Sequence, residues 1–164
     1  MDGSLENLLA GLESSFDAAL ARDEEIAAAD LARSLDRGAE LRHRLVRARG
    51  VVLLLSSETR LPVANVGADY CACGDPPFLL APLHNATFAL GRAGLPPSDA
   101  PAMLKQALGR WADRSAAVEI ATPAGRRAGR LVQASADHVL LETRDQRIVV
   151  PMATVGSVRL SRVG

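Results

Sequence analysis

The feature that most constrains how this chain folds is a pattern of residues that occurs twice. Residues 67–90 read GADYCACGDPPFLLAPLHNATFAL, and residues 135–160 read SADHVLLETRDQRIVVPMATVGSVRL. Each stretch passes from Ala-Asp-aromatic through an apolar segment, a polar turn, a second apolar segment and a proline to a last apolar segment. Short apolar segments separated by turn residues are typical of small antiparallel β units. The sequence therefore predicts that one compact β unit is encoded twice.

Three sets of residues keep the same order in the two stretches. They are Ala68-Asp69-Tyr70 with Ala136-Asp137-His138, Leu79–Pro82 with Ile148–Pro151, and Val63 and Val66 with Leu131 and Ala134. The proline cannot continue a β ladder, so it is expected to end the fourth strand of each unit and open the turn into the fifth. The aspartate is expected to bond backbone amides two residues on and so hold the turn into the third strand.

Five short strands are predicted in each unit because apolar segments recur between Gly, Pro and Asp residues. The predicted strands span 51–57, 59–68, 69–73, 77–81 and 86–90 in the first unit, and 116–122, 126–135, 137–143, 146–151 and 156–160 in the second. Turns are predicted at Pro123 to Arg126 and at Thr143 to Gln146.

Helices are predicted before each β unit. Residues 4–36 carry apolar side chains at spacings of three and four, the pattern of an amphipathic helix. Gly38 is expected to bend or break it, and a second helix is expected to run on to about Arg49. Residues 102–115 form the predicted helix before the second unit, with Ser98 or Asp99 as its N-cap and Pro101 in its first turn.

The predicted fold class is therefore α+β and mostly β. We expect three regions along the chain: an acidic amphipathic helix over 1–37, a helix plus a first small five-stranded β-barrel over 38–97, and a helix plus a second such barrel over 98–164. Two small barrels suit a chain of 164 residues in which apolar residues make up 48%.

The segments GRRAGRLVQASADHVLLE and RIVVPMATVGSVRL, preceded by a short helix, resemble the Sm-like and broader SH3-like small barrels. The likeness is carried by Gly129 to Leu131 and the strand-turn-strand after it. The whole layout is also similar to an uncharacterised actinobacterial family whose members are sometimes labelled Fis-type regulators. A Fis-type DNA-binding end would be a helix-turn-helix, whereas the end of this chain is predicted to be β-strands.

The Sm-like resemblance implies a fold and a mode of assembly. Sm proteins that bind uridine-rich RNA use an Asn just before strand three and an Arg-Gly or similar pair after strand four. The first place here holds Tyr70 or His138, and the second holds Pro82-Leu83 or Pro151-Met152. The resemblance therefore implies small barrels that assemble through exposed strand edges, more than it implies RNA binding of the Sm kind.

Residues that carry enzymatic chemistry are not arranged in any pattern that predicts catalysis. The sequence contains no Gly-rich phosphate loop, nucleophile elbow or Ser-His-Asp order. His43, His84 and His138 lack the spacing of a zinc site. Cys71 and Cys73 form a C-x-C on a predicted strand and are interpreted as small buried residues, not as a redox pair. We therefore expect no enzyme activity, no metal and no cofactor.

Charge is divided unevenly along a chain whose net charge is zero. Residues 1–37 hold nine acids and three arginines, whereas residues 38–164 hold ten acids and sixteen basic residues. Arginines that would contact the phosphates of a nucleic acid form two clusters; the candidates are Arg42, Arg44, Arg47 and Arg49 in the helix before the first barrel, and Arg126, Arg127 and Arg130 in the second. The alternative interpretation is that they make salt bridges with the acidic N-terminal helix or are simply solvated.

The apolar stripe of the first helix is the other candidate site. Its expected contacts with a partner helix are Leu5, Leu8, Leu9, Leu12, Phe16 and Leu20. Leu5, Leu12, Ala19 and Ile26 keep a seven-residue step that also suits a seam between two copies. We therefore favour a non-catalytic interaction module that binds a protein partner or itself through this helix and the barrel edges. The alternative is an Sm-like binder of RNA or DNA.

The chain is expected to be cytoplasmic and not to bind membranes. Asp2 and Glu6 stand where a signal peptide carries positive charge. No apolar run approaches the roughly 20 residues that span a bilayer. The two cysteines are poorly placed to form a disulfide, which favours a reducing compartment.

Overall fold

The computed structural model describes residues 3–100 and 102–162, except for the side chains of residues 3 and 34–39. The chain divides into two bodies, Met1–Arg37 and Gly38–Gly164, which are described separately below. Secondary structure is mostly β, as predicted. The proposed division of the second body at residue 97 stays a prediction.

A single helix, α1 (Gly3–Arg47), takes the place of the two helices predicted on either side of Gly38. Gly38 was expected to bend or break the helix; the break was wrong, and the bend stays a prediction. A glycine inside a helix costs only about 1 kcal/mol relative to alanine, and the alanine, leucine, glutamate and arginine residues on both sides of Gly38 are strong helix formers. In the first body, the apolar side chains of α1 are largely exposed, at 49% to 70% for Leu5 to Leu20.

Within its described residues the second body contains eleven strands; nine have ends within two residues of those predicted, and β1 ends three residues earlier than predicted. The first five are β1 (Val51–Leu54), β2 (Arg60–Val66), β3 (Tyr70–Cys73), β4 (Leu79–Pro82) and β5 (Thr87–Leu90). After the two-residue β6 (Ser98–Asp99) and the helix α2 (Leu104–Asp113) come β7 (Ala117–Thr122), β8 (Gly125–Ala134), β9 (His138–Glu142), β10 (Arg147–Pro151) and β11 (Ser157–Leu160).

The strands form one open sheet in the order β10-β9-β8-β7-β11-β4-β3-β2-β1-β5, with β6 alongside β2. We call β1–β5 the N-terminal repeat and β7–β11 the C-terminal repeat. Within each repeat, the fifth strand pairs with the first, and the first to fourth follow in chain order. The sequence had predicted two tandem five-stranded barrels. The structure instead has a continuous sheet, because β4 of one repeat pairs with β11 of the other.

Details of the backbone show that the two repeats share more than strand order. A register shift interrupts β2 between Val63 and Asn65 and β8 between Leu131 and Gln133. The fourth strand ends at Pro82 in one repeat and at Pro151 in the other, and each proline is followed by a 3-10 turn, Leu83–Asn85 or Met152–Thr154. The predicted role of the prolines is confirmed.

Two apolar clusters lie on opposite sides of the sheet. The first contains Leu45 of α1 with inward residues of the N-terminal repeat, among them Cys71, Cys73 and Leu79. The second contains Trp111 of α2 with the core of the C-terminal repeat. Alternate residues of a strand point to opposite faces. All four residues of β3 and all four of β4 are buried, because these strands lie between the two clusters.

Helix α2 begins later than predicted and is capped differently. Ser98 and Asp99 do not cap it, because they form β6 and pair with Asn65 and Val66 of β2. The Leu104 amide at the start of α2 instead donates to the carboxylate of Asp69 at 2.7 Å. Asp69 was expected to hold the turn into β3. Pro101 lies outside the described residues.

Candidate assembly interface

The junction between β4 and β11 joins the two repeats by antiparallel pairing. Leu80 is opposite Val158 and Leu79 is opposite Arg159. The Leu160 amide donates to the Phe78 carbonyl at 2.8 Å, which continues the ladder beyond the paired residues. This junction shows how the fourth strand of one repeat accepts the fifth strand of another.

Asn85 adds a side-chain contact to the same junction. Its Nδ2 donates to the Ala153 carbonyl at 3.0 Å and to the Val155 carbonyl at 2.8 Å. Both acceptors belong to the 3-10 turn of the C-terminal repeat or follow it directly. One amide group therefore satisfies two backbone acceptors across the junction, which holds the ends of β4 and β11 together.

The third and fourth strands of each repeat have one face that is buried in the N-terminal repeat and partly exposed in the C-terminal repeat. In the N-terminal repeat, Tyr70, Ala72 and Leu80 are buried in the cluster that contains α2. Tyr70 is opposite Pro82 in one repeat, and His138 is opposite Pro151 in the other. Counting along the strands from these pairs, the counterparts of Tyr70, Ala72 and Leu80 are His138, Leu140 and Val149. His138 and Leu140 are half-buried and Val149 is 61% exposed.

Two strand edges have no strand partner within the described part of the chain: that of β10 at one end of the sheet and that of β5 at the other. They are the counterparts of the two edges that meet at the β4–β11 junction. Strand β5 exposes Leu90 by 49%. An unpaired edge carries free backbone donors and acceptors that can pair with another strand.

A shallow groove of about 290 Å³ lies beside β10. Its wall is mostly apolar and is formed by Ile148, Val149 and Pro151, together with Pro123 and Arg127 from the opposite hairpin. Side chains of β10 and of the β7–β8 hairpin therefore share one apolar groove. A strand that paired with this edge would bury apolar surface as well as form backbone hydrogen bonds.

The helix residues predicted to contact a partner form an exposed apolar row in the first body. The members are Leu5, Leu8, Leu9, Leu12, Phe16 and Leu20, and Ile26 and Leu31 extend the row with exposures of 59% and 62%. Single exposed apolar residues are common on protein surfaces. An extended row of them on one helix is instead typical of a surface that packs against another protein or another part of the same chain. Whether it binds a partner stays a prediction.

The arginines of the helix cluster do not have equivalent surroundings. Arg42 donates through Nε to the Gly67 carbonyl at 3.0 Å and pairs with Asp99. It therefore links the end of α1 to β6 and the turn before β3. Arg44, Arg47 and Arg49 are exposed. The structure thus gives Arg42 a role in holding the fold and leaves three arginines of this cluster at the surface.

The arginines of the C-terminal repeat are divided over two faces of β8. Arg126 and Arg130 are opposite Ala121 and Ala117, whereas Arg127 is opposite Ile120, whose side chain is buried. Since successive residues of a strand alternate between faces, Arg127 cannot join the other two on one surface. The predicted three-arginine patch is therefore not a single surface.

Acidic side chains lie among the arginines on that face. Arg126 pairs with Glu119 at 3.1 Å, and Arg147 lies 3.7 Å from Glu142. These ion pairs reduce the positive charge that a nucleic acid would encounter. The partner of Arg126 is Glu119 of β7 and not a residue of the acidic helix, and Arg130 is exposed.

The cysteines and histidines are not arranged as a reactive or metal-binding site within the described residues. Cys71 and Cys73 are free and fully buried. Burial raises the pKa of the Cys71 thiol to about 12 and that of Cys73 to about 11, so both are protonated at neutral pH. In residues 3–100 and 102–162, no three His, Cys, Asp or Glu side chains are grouped closely enough to hold a metal ion.

Neither the known protein-family models nor the curated proteins match this chain. No helix in the described part of the chain has the length and apolar character needed to cross a membrane.

Proposed function

We propose that the protein is a non-catalytic assembly module that associates through the edges of its sheet and the apolar row of α1. The observation that carries this proposal is the β4–β11 junction, where one repeat already binds another by strand pairing. The corresponding edges of β5 and β10 have no strand partner in the described residues. Strand addition needs no cofactor and no catalytic group, since backbone hydrogen bonds supply the contact.

We also propose that each repeat behaves as an Sm-like or SH3-like small-barrel unit. The support is the shared strand order, in which the fifth strand pairs with the first and the next three follow in sequence. The register shifts in β2 and β8 also support this proposal. A register shift of this kind marks a β-bulge, and a bulge is where a strand of a small barrel bends. The continuous sheet then corresponds to two such units joined side by side.

The apolar row of α1 contributes a second association surface. Leu5, Leu12, Ala19 and Ile26 repeat every seven residues, the spacing that keeps a helix seam facing a partner helix. Their exposure in the first body leaves this seam available. The favoured occupant is the same helix of a second copy, because a helix with this step fits its own equivalent.

Sedimentation of the full-length chain tests the proposal. The variant Leu12→Glu/Phe16→Glu places charges in the apolar row, and Ser14→Glu/Ala21→Glu places the same charges on the opposite side of the helix as a control. We expect the wild-type chain to associate and the first variant to associate at least tenfold more weakly, with the control close to wild type. A wild-type chain that stays at 17.3 kDa and captures no protein partner would contradict the proposal.

A nucleic-acid binder is the second candidate, and one groove favours it. Arg126, Arg159 and Arg162 line a groove of about 980 Å³ together with Phe78. The Arg159 guanidinium lies 6.0 Å from the centre of the Phe78 ring. Three arginines beside an aromatic ring suit a phosphate backbone with a stacked base. Glu119, which pairs with Arg126, lies in the same groove and makes this the weaker candidate.

Binding at low salt decides between the two candidates. If the groove binds nucleic acid, Arg159→Ala/Arg162→Ala should weaken the binding of single-stranded RNA or duplex DNA, and affinity should fall as salt rises. The control Arg144→Ala removes an exposed arginine outside the groove. The absence of a gel shift at micromolar protein in low salt would remove this candidate.

A further inference from the structure

We propose that one face of the C-terminal repeat binds the acidic side of α1 from a second copy of this chain. The first surface, which we call the basic face, is defined by Arg126, Arg130, Arg147 and Arg159. The second, which we call the acidic side of α1, is defined by Glu6, Glu13, Asp17 and Glu24. The inference rests on the proposed assembly function and assigns it a contact other than the strand edges and the apolar row.

Strand register places three of these arginines on one face of β11, β7 and β8. Arg159 is opposite Glu119, and Glu119 is opposite Ala128. Arg126 and Arg130 stand two residues before and two residues after Ala128 on the same strand. Side chains that are opposite each other across an antiparallel pair, or two residues apart along a strand, point to the same face. The three guanidinium groups therefore lie on one surface.

The same surface continues to β10. Arg130 is opposite Glu142, and Glu142 is opposite Arg147. All four arginines of the basic face are exposed. The residues that point to the other face of these strands, among them Ile120 and Leu131, are buried in the cluster that contains α2. The strands of the C-terminal repeat therefore pack against α2 on one face and present arginines to solvent on the other.

Two of these arginines already have carboxylate partners and two do not. Arg126 and Arg147 lie 3.1 and 3.7 Å from the two glutamates of the face. Arg130 and Arg159 form no ion pair within residues 3–100 and 102–162. Arg159 instead lies 6.0 Å from the centre of the Phe78 ring. Guanidinium groups bind carboxylates through charge-assisted hydrogen bonds, so these two arginines can accept carboxylates of another molecule.

The acidic side of α1 carries a matching set of carboxylates. Its four members are exposed and follow one another at steps of seven, four and seven residues, which keeps them on one side of the helix. Arg22 and Arg33 point to the opposite side, since each residue turns the helix by about 100°. Glu13 is about a quarter-turn from Leu12, so the acidic side stays accessible when the apolar row is packed.

The spacing of the two sets of charges agrees. A step of seven residues along a helix covers about 10 Å, which separates Glu6 from Glu13. Neighbouring strands are about 4.8 Å apart, so side chains on alternate strands are also about 10 Å apart. Arg159, Arg130 and Arg147 lie on β11, β8 and β10, which alternate in the sheet. A helix that crosses these strands therefore brings successive carboxylates to successive arginines.

Charge along the chain favours a second copy as the occupant. Residues 1–37 hold nine acids and three arginines, whereas residues 38–164 hold ten acids and sixteen basic residues. One exposed ion pair contributes little, so a stable contact needs several pairs at once. Each copy supplies one acidic side and one basic face, so two copies form two such contacts.

Salt dependence is the first test. The full chain carrying Leu12→Ser/Phe16→Ser loses the apolar contact without gaining charge, and it is treated with nuclease before sedimentation. We expect this parent to associate in about 10 mM salt and to associate at least about tenfold more weakly in about 300 mM salt, because the range of charge interactions falls from about 30 Å to below 10 Å. Association that is unaffected by salt would overturn the inference.

Charge reversal on the face is the second test. In the same parent at low salt, Arg130→Glu/Arg159→Glu should weaken association at least about tenfold. The control Arg92→Glu/Arg127→Glu makes the same charge change at exposed residues outside the basic face and should associate as the parent does. Circular dichroism and thermal melting identify a variant that fails to fold. Arg130→Gln/Arg159→Gln then takes its place, with a smaller loss in the same direction.

Charge reversal on the helix is the matching test. Glu6→Arg/Glu13→Arg should lose association as the face variant does, whereas Asp23→Arg/Glu25→Arg, which changes charge away from the acidic side, should not. An equimolar mixture of the face variant and this helix variant should associate again, because the acidic side of one then meets the intact basic face of the other.

Three outcomes of these charge reversals would overturn the inference. The first is a face variant that associates as strongly as its control, and the second is a mixture that stays unassociated. The third is a face variant that loses affinity for single-stranded RNA or duplex DNA while its self-association is unchanged, which would assign the basic face to nucleic acid. All three leave the proposed function standing, whereas a wild-type chain that neither associates nor binds a partner overturns the function itself.

Discussion

Asn85 and Val155 are 70 residues apart in the chain, yet the Asn85 side-chain amide donates a hydrogen bond of 2.8 Å to the Val155 carbonyl. This bond, with the one to Ala153, joins the 3-10 turns of the two repeats. The two repeats are therefore joined at this point into a single folded body. Variants at the junction can show how much this contact contributes to the free energy of unfolding.

Replacing Asn85 should weaken the junction. Asn85→Ala leaves two backbone carbonyls without a donor, and we expect a loss of about 1–3 kcal/mol in the free energy of unfolding. Asn85→Asp should cost more, because a carboxylate would face the same two carbonyls. Urea denaturation measures both. Gln133→Ala, which removes an exposed side-chain bond, should change stability by less than about 0.5 kcal/mol.

The carboxylate of Asp69 should stabilise the start of α2. It accepts the Leu104 amide, which is one of the amides without a partner inside the helix. We expect Asp69→Ala to lower the unfolding free energy by about 1 kcal/mol. The carboxylate of the counterpart Asp137 instead contacts the neighbouring His138 ring at the surface. An Asp137→Ala variant as unstable as Asp69→Ala would show that the helix contact is not the cause.

Gly67 should tolerate no side chain. A Cβ there would collide with the Tyr70 ring and lie 2.7 Å from the Ala102 carbonyl oxygen. We expect Gly67→Ala to destabilise the fold by about 1–3 kcal/mol, because the packed ring and backbone must move. The equivalent position in the C-terminal repeat is Ser135, where Ser135→Ala should be nearly neutral. Thermal melts of the two variants make the comparison, and equal melting temperatures would contradict it.

The buried thiols predict a loss of stability at alkaline pH. The folded-state pKa of Cys71 is raised to about 12 and that of Cys73 to about 11, from an ordinary value of 9.0. Above about pH 9, the unfolded chain loses these protons while the folded chain keeps them, so the unfolding free energy falls as pH rises toward 11. We expect a loss on the order of 1 kcal/mol for each thiol at about pH 10.

Chemical denaturation at pH 7 and at pH 10 checks this dependence. The variant Cys71→Ala/Cys73→Ala has no thiol to ionise and should lose less stability over the same interval, whatever its stability at pH 7. Equal losses in the variant and the wild-type chain would show that other groups account for the alkaline dependence.

The sequence predicted the strands of this fold well because each is a short apolar segment between Gly, Pro or Asp residues. It failed at Gly38, where the helix-forming residues on both sides outweigh one glycine. The β4–β11 pairing was not predicted, since strand partners distant in sequence leave no periodic signal. The Asp69–Leu104 bond was missed for the same reason, as it spans 35 residues.

The candidate site was predictable only in part. The apolar row of α1 follows from spacing, and its exposure agrees with a surface available for contacts. Arg126, Arg127 and Arg130 were grouped because they are close in the sequence. Successive side chains of a strand, however, point to opposite faces of the sheet. That alternation separates Arg127 from its neighbours. The exposed Val149 could not be predicted as the counterpart of the buried Leu80, because that relationship follows from the strand registers.

Amide hydrogen exchange tests most directly whether the edges of the sheet are used between chains. The Leu80 amide, paired inside the chain, serves as the internal reference for the Val149 amide. If these edges pair with other chains, the Val149 and Leu90 amides should become protected as the concentration of the wild-type chain rises. Rapid exchange of both amides at every concentration, with Leu80 protected throughout, would contradict it.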